Sequence, residues 1–351
     1  MKFDLVEWIA GRPVIGFGAG EYYQRAMEFG ELKIDYFIDE QLAGEEKSGS
    51  PIHGIQALQD EERDVAIIIF SRAVGDALLE LRQLGYEWRR QVMDCRCFGV
   101  MNRYPDDYVY LKDVDAVCQS EYFDVSLGLG AEVEMQQIMV PVSRGARPIQ
   151  IRVGNGGRLR LADGLVEPGC QINVGGQGLV ELGSGFTLGE NSILSAASSS
   201  EVVFGERLLM SHDSIVDAAN HVGIRVGTGC TFGWHLHLYA YAPIEISDDM
   251  MASSYVYIES GAGHDLIIDG QKRYPESMTI GKHVWVGLNS TILAGSHIGD
   301  GCMIGASSLV NRKFGERQLI AGNPARVIKE DIVWNRDYTA YKEVYHRHKE
   351  N

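Results

Sequence analysis

Long apolar runs are missing from these 351 residues, and none approaches the roughly 20 residues a membrane-spanning helix requires. The first eight residues, Met1 to Trp8, break up any apolar signal segment with charge. Basic residues are also scarce: 32 against 48 acidic ones, a formal charge of −16. That excess repels phosphate backbones and anionic lipid, which argues against a nucleic-acid or membrane surface as the main partner. Cysteine is sparse. Cys95, Cys97, Cys118, Cys170, Cys230 and Cys302 are scattered; only the first two are close, and no second pair completes a zinc site. Reduced thiols are the default. The expectation is a soluble, cytoplasmic protein with no resident metal.

What the chain does have is a beat of six. Ile280, Val286, Ile292, Ile298, Ile304 and Val310 recur at that spacing, with Gly281, Gly287, Gly299 and Gly305 directly after four of them. Six fits neither the helical period nor simple strand alternation. It predicts a parallel β-helix, in which each hexapeptide forms one flat face and three faces make a coil. The aliphatic side chain then points inward and glycine permits the corner. Upstream, Val226, Phe232, Leu238, Ile244, Met250 and Val256 keep the beat, as do Leu182, Leu188 and Leu194, and Val203, Leu209 and Ile215. The largest break, between Val256 and Ile280, predicts a protruding loop, the place where repeat proteins carry chemistry.

The first hundred residues read differently. Apolar strands over 13–17, 34–38 and 65–70 alternate with helical patterns near 20–29 and 77–84, predicting a parallel, doubly wound α/β sheet. Gly16, Gly18 and Gly20 fall in the first strand-to-helix turn, and Asp39 about 20 residues on. Two readings stay open: a tight turn, or a site for a nucleotide or nucleotide-sugar at a helix N-terminus. A domain of this length is too short for a dehydrogenase. The predicted organisation is a Rossmann-like domain over 1–100, a connector over 101–150, a β-helix over 151–330 and a C-terminal helix over 331–351. The helix rests on Trp334, Tyr338, Tyr341 and Tyr345 at three- and four-residue spacing.

From Gly263-His264-Asp265 through the run that opens at Ile280 to the closing Ile320-Ala-Gly-Asn-Pro-Ala-Arg-Val-Ile-Lys329, the chain resembles the hexapeptide-repeat acyltransferases. It is most similar to bacterial O-acetyltransferases acting on capsule, lipopolysaccharide or other glycans, and its N-terminal part looks like the Rossmann-like domain fused to some sugar-modifying members. The resemblance implies a left-handed parallel β-helix, an exception to right-handed crossovers. It also implies a homotrimer with acetyl-CoA bound between neighbouring prisms. The acceptor is then a sugar, nucleotide-sugar or glycan.

Acyl transfer from a thioester to a hydroxyl needs a base for the proton and donors for the oxyanion. Imidazole is the side chain best matched to neutral pH. His264, in the protruding loop, falls on the family's catalytic histidine. Asp265 is a candidate to orient it, with Asp248 and Asp249 as alternatives. Trp285 resembles the aromatic residue lining the active site of relatives. The family's coenzyme contacts match Gly287, Ala306, Arg312, Arg326 and Lys329, although Asn311-Arg312 stands where relatives often have Thr-Lys, which changes the geometry of that contact. His235 and His237, about one and a half coils earlier, are candidates to line the acceptor side. No Ser or Cys is paired with a base, so direct transfer is expected. The alternatives are N-acylation of a nucleotide-linked amino sugar and a scaffold that has lost catalysis. A three-histidine zinc enzyme of the same fold is disfavoured, because the histidines lack its ligand spacing.

Overall fold

The computed structural model describes residues 9, 11–19, 23, 33–61, 64–70, 77, 80–81, 83–86, 92–94, 108–141, 146–261, 264, 266–268 and 271–336. Near the N-terminus lie β1 (Val14–Phe17), β2 (Tyr36–Ile38), β3 (Glu46–Lys47), β4 (Ser50–His53), β5 (Ala66–Ile69) and β6 (Val92–Asp94). They form one sheet in the order β3-β4-β2-β1-β5-β6, parallel throughout except for the β3–β4 hairpin. β5 is the uninterrupted apolar run Ala-Ile-Ile-Ile, buried at every residue, as a strand covered on both faces must be. The three expected strands are therefore present and parallel. The helices expected near 20–29 and 77–84 lie largely outside the described residues. Ile15, Ile67 and Ile69 share a core with Met139 and Leu165, which seats this sheet against the rest of the protein.

The rest is a three-sided parallel β-helix. Its first face is an 11-stranded sheet running from Tyr108–Leu111 to Ala325–Lys329. The second has nine strands, from Phe123–Leu127 to Leu309–Val310, and the third nine, from Glu132–Met135 to Lys313–Phe314. On the second face Ile151, Ile172, Leu194, Val216, Leu238, Ile258, Ile292 and Val310 stack in register, one per coil, all buried. Burying each such side chain contributes about 1.5–3 kcal/mol. Repeated on three faces, these columns hold the coils together without any long helix.

Coil length explains where the beat of six holds. Ile292 pairs with Val310, eighteen positions on, which is three hexapeptides. Leu194 pairs with Val216, twenty-two on. The extra residues sit in corners and shift the phase. Val203, Leu209 and Ile215, expected inside, are half-exposed; Val202, Leu208, Met210 and Val216 are the buried neighbours. The segment expected as a connector also differs. Phe123–Leu127, Glu132–Met135 and Ile138–Pro141 pair directly with the next coil, so the prism is already under way there. Phe123–Leu127 and Glu132–Met135 alternate apolar and polar residues while Ile138–Pro141 is wholly apolar, and these short, unlike pieces leave no six-residue signal. Residues 331–336 carry no helix. The remainder of the expected C-terminal helix, 337–351, lies outside the described residues.

The protruding loop is where the sequence predicts it, between Tyr257–Glu259 and Met278–Ile280. Its neck closes where the Glu276 N–H donates to the Ser260 carbonyl at 3.2 Å. Ser260 is fully buried, and its hydroxyl oxygen accepts from the N–H groups of Tyr241 and Ala242. Within the loop Leu266–Ile268 and Gln271–Arg273 pair antiparallel as a small hairpin.

Candidate active site

His264 precedes the first strand of that hairpin and is exposed. Asp265 lies outside the described residues. Of the alternative orienting residues, Asp248 accepts from the Thr228 N–H and pairs with Lys282 at 3.5 Å. Asp249 is engaged elsewhere, as described below. No carboxylate among the described residues is thus assigned to His264. The three buried cysteines of the prism do not offer a nucleophile in its place. Burial pushes the Cys170 and Cys302 thiols up and the Cys230 thiol to about 11, so none is a ready thiolate.

The loop leaves the prism at the edge between the second and third faces. On the adjoining second face, the outward side chains of two consecutive coils are largely aromatic. His237 stacks on Tyr257 with centroids 5.6 Å apart, Tyr239 lies 5.8 Å from Tyr257, and His235 stacks on Tyr255 at 4.7 Å. Burial, and then the charge of His235, lower the His237 pKa, so this imidazole favours its neutral form. Burial raises Glu259, Tyr239 and Tyr257. His235 and Tyr255 hold positive φ angles of 57° and 59° at a corner where other coils place the more tolerant Asn191, Asp213 or Asn289. His237 thus lies on the face that ends at the loop, and His235 lies in the corner at the far edge of that face, in the column of Asn289. The tyrosines went unnoticed in the sequence, although Tyr239, Tyr255 and Tyr257 each lie next to a buried aliphatic, Leu238, Val256 and Ile258 respectively.

The residues expected to hold a coenzyme divide into groups. Gly287 and Ala306 are stacked at the edge between the first and second faces. A Cβ added to Gly287 would sit 2.6 Å from the Ala306 nitrogen, so only glycine lets the coils close up there. Arg326 pairs with Ala321, whose own Cβ would be 3.0 Å from one on Gly305, bringing the guanidinium to the same edge. It is exposed and donates to the carbonyls of Pro324 and Ala325. Lys329 sits at the opposite end of that strand, paired with Leu319. Arg312, also exposed, follows Leu309–Val310 and so lies at the loop's edge of the second face. Gly287, Ala306 and Arg326 are thus brought together, and Lys329 and Arg312 are not.

Trp285 belongs to the first face, half-buried, its indole N–H 3.4 Å from the Ser253 hydroxyl. Beside it lies a cluster the sequence did not reveal. Trp334 stacks on His283 at 3.8 Å and lies 5.7 Å from Trp285. Its indole N–H donates to the His283 carbonyl, while its own carbonyl faces His283 Nε2 at 3.0 Å. His283 Nδ1 meets the Asp249 carboxylate at 2.5 Å, and Arg336 takes the other oxygen at 2.9 Å. Arg336 also donates to the Asp249 and Met250 carbonyls and to Thr231 Oγ1. Residues 334–336 are thereby strapped across the first face. These partners are 34 to 105 positions apart, and no local pattern links them.

In the N-terminal sheet Gly18 has φ +95°, and a Cβ there would sit 2.8 Å from the Phe70 carbonyl oxygen. Asp39 Oδ2 accepts from the Ala19 N–H and Oδ1 from the Gln41 N–H. The carboxylate expected near a ribose is thus taken up by the turn itself; Gly20 lies outside the described residues. Among the described residues no three His, Cys, Asp or Glu group to hold a metal ion, and no helix is long and apolar enough to cross a membrane.

Comparison with known proteins connects this geometry to a family. The family described as Bacterial transferase hexapeptide (six repeats) matches residues 277–312. The chain is 27% identical over 138 residues to the putative lipopolysaccharide biosynthesis O-acetyl transferase WbbJ of Escherichia coli (strain K12), covering 36% of this chain and 70% of that protein. It is 31% identical over 110 residues to the galactoside O-acetyltransferase of the same strain, covering 30% of this chain and 54% of that one. It thus spans only about half of that relative. The solved structure of the polySia specific acetyltransferase NeuO aligns at TM-score 0.46 and 20% identity, covering 65% of this chain and 99% of that chain.

Proposed function

We propose, for a chain that belongs to the hexapeptide-repeat acyltransferases, that it transfers an acetyl group from acetyl-CoA to a sugar hydroxyl in surface-polysaccharide biosynthesis. The observation that carries this reading is the hairpin loop that presents His264 at the edge of a histidine- and tyrosine-lined face. His264 acts as general base on the acceptor hydroxyl, and the alkoxide attacks the thioester carbonyl. The tetrahedral intermediate then collapses with loss of the coenzyme thiolate. His235 and His237 face the acceptor, and Trp285 lines the site. Gly287, Ala306 and Arg326 hold the coenzyme, with charge-assisted contacts to its phosphates.

His264 and the Gly287–Arg326 group occupy opposite edges of the second face, separated by a three-residue strand, about 10 Å. This supports a site completed between two copies of the chain, in a homotrimer wound left-handed as the family implies. The N-terminal parallel sheet supports a second reading, N-acylation of a nucleotide-linked amino sugar. The occupation of Asp39 by its own turn disfavours it.

The test is release of free coenzyme thiol from acetyl-CoA against a panel of glycan fragments and nucleotide sugars. His264→Ala should lower turnover by about 10²–10⁴, the usual contribution of a general base, with coenzyme binding intact. Wild-type turnover in that variant, or hydroxyl-bearing acceptors that never release thiol while amino sugars do, would overturn the O-acetyl reading.

A further inference from the structure

Below the aromatic coils a shallow, open depression lies where the second face meets the corner toward the third. A cleft of about 500 Å³ is lined there by residues that include Arg152, Asn173 and Ser195. These three belong to one outward column that climbs the prism in register: Arg152, Asn173, Ser195, Asp217, Tyr239 and Glu259. The chain leaves the prism immediately above Glu259 to form the loop that carries His264. The cleft and the loop are therefore two ends of one track. Every position on it offers a hydrogen-bonding group, and none is a large aliphatic that would repel a hydroxyl.

Adjacent coils are spaced like neighbouring strands, about 4.8 Å apart, so the five steps from Arg152 to Glu259 cover about 24 Å. A track with one polar group per coil matches the advance of an extended glycan, in which each pyranose presents hydroxyls at a similar repeat. Charge narrows the ligand further. The Arg152 guanidinium is already bound to the carboxylate and carbonyl of Asp124. Asp217 and Glu259 have no ion-pair partner among the described residues, so a polyanion would be repelled. Asn173 and Ser195 keep their side-chain donors and acceptors for a ligand.

We infer that this track is an extended acceptor subsite. It holds a neutral oligosaccharide along the prism axis, with the reacting unit at the His264 loop and its preceding units running down to the cleft. The inference rests on the acyl-transfer reading and deepens it, because it selects a polymeric or oligomeric acceptor over a free nucleotide sugar.

The probe is an array of homo-oligosaccharides of one to six units, built from glucose, galactose, mannose, N-acetylglucosamine and α2,8-linked sialic acid. Labelled wild-type protein should retain a neutral oligomer about tenfold more tightly at five units than at one, since each added unit gains modest net hydrogen bonds. Ser195→Trp and Asn173→Trp, which fill the cleft, should return the oligomer to the level of the monomer. Their melting temperature and acetyl-CoA binding should match wild type. Retention independent of length, preference for the sialic acid series, no retained neutral glycan, or tryptophan variants that bind like wild type would each overturn the inference. So would a change of oligomeric state in those variants, because the face would then be an interface between copies. Failure of the acyl-transfer reading looks different: thiol release would be absent with every acceptor while glycan retention persisted. Failure of the track alone would leave thiol release with a monosaccharide acceptor intact.

Discussion

The late coils, from Met278 to Val310, and the middle coils, from Ile193 to Glu259, use the same inward ladder and differ in what they place around it. The late coils keep to eighteen residues, with glycine at several corners and the non-aromatic Thr291, Leu293 and Leu309 outward on the second face. The middle coils take twenty to twenty-two, and their outward positions hold Trp234, His235, His237, Tyr239, Tyr255 and Tyr257. The core is equally well filled in both, so the extra residues are not there for stability. They build surface. In the reading argued above, the middle coils supply the acceptor side and the loop with the base, and the late coils hold the coenzyme.

The largest effect should come from the ladder itself. Phe232 is buried at 1% exposure and packs edge-on against Phe204, 6.5 Å between centroids. Phe232→Ala should cost about 3–5 kcal/mol by chemical denaturation, the range for emptying an aromatic site in a core. The ring fills a middle coil, and a late-coil change such as Ile298→Val should cost about 0.5–1.5 kcal/mol. Equal losses would mean that the two regions are not packed on the same principle.

The next effect separates the regions by function. Arg326→Ala should raise the Michaelis constant for acetyl-CoA several-fold and weaken its dependence on salt, leaving turnover at saturation nearly unchanged. Unaltered coenzyme affinity at low salt would remove Arg326 from the site.

Much of this division was legible in the chain. The strict beat from Ile280 to Val310 specifies a β-helix because eighteen residues are three hexapeptides. The protruding loop and His264 followed from the break in that beat. The middle coils were harder: each extra corner residue moves the phase by one, which turned Val203, Leu209 and Ile215 outward. The strap was not legible, because Asp249, His283, Trp334 and Arg336 meet only through the fold. The grouping of Arg326 with Ala306, and the separation of Lys329 from both, depended on an antiparallel turn at Gly322–Ala325 that motif spacing does not encode.

The strap joins the two regions, since Asp249 lies in the middle coils and His283 in the late ones. Asp249→Asn should cost about 1 kcal/mol, as the pair is partly exposed and screened, and should loosen Trp334 from His283. A red shift of tryptophan emission at low denaturant would report it; an unchanged spectrum and stability would show that the carboxylate holds nothing. The smallest effect is on pH dependence. The folded His237 has its pKa lowered by burial and by His235, so the unfolded chain takes up the proton first. Its contribution is present above the ordinary imidazole range and lost as pH falls through the lowered value. Melting temperature should drop slightly more between pH 7 and 5 in wild type than in His237→Gln. A steeper fall in the variant would reverse the assignment.

The most direct test of the central claim, that the base of one copy works against the coenzyme edge of the next, mixes two inactive variants. His264→Ala removes the base, and Ala306→Trp blocks the exposed coenzyme edge. Each is made with its own affinity tag, the two are co-expressed, and oligomers carrying both tags are isolated. In a mixed trimer one of the three sites regains an intact base facing an intact coenzyme edge, so thiol release should return to about a third of the wild-type rate per trimer. Mixed oligomers as inactive as either parent would place both halves of the site within one chain and contradict the account.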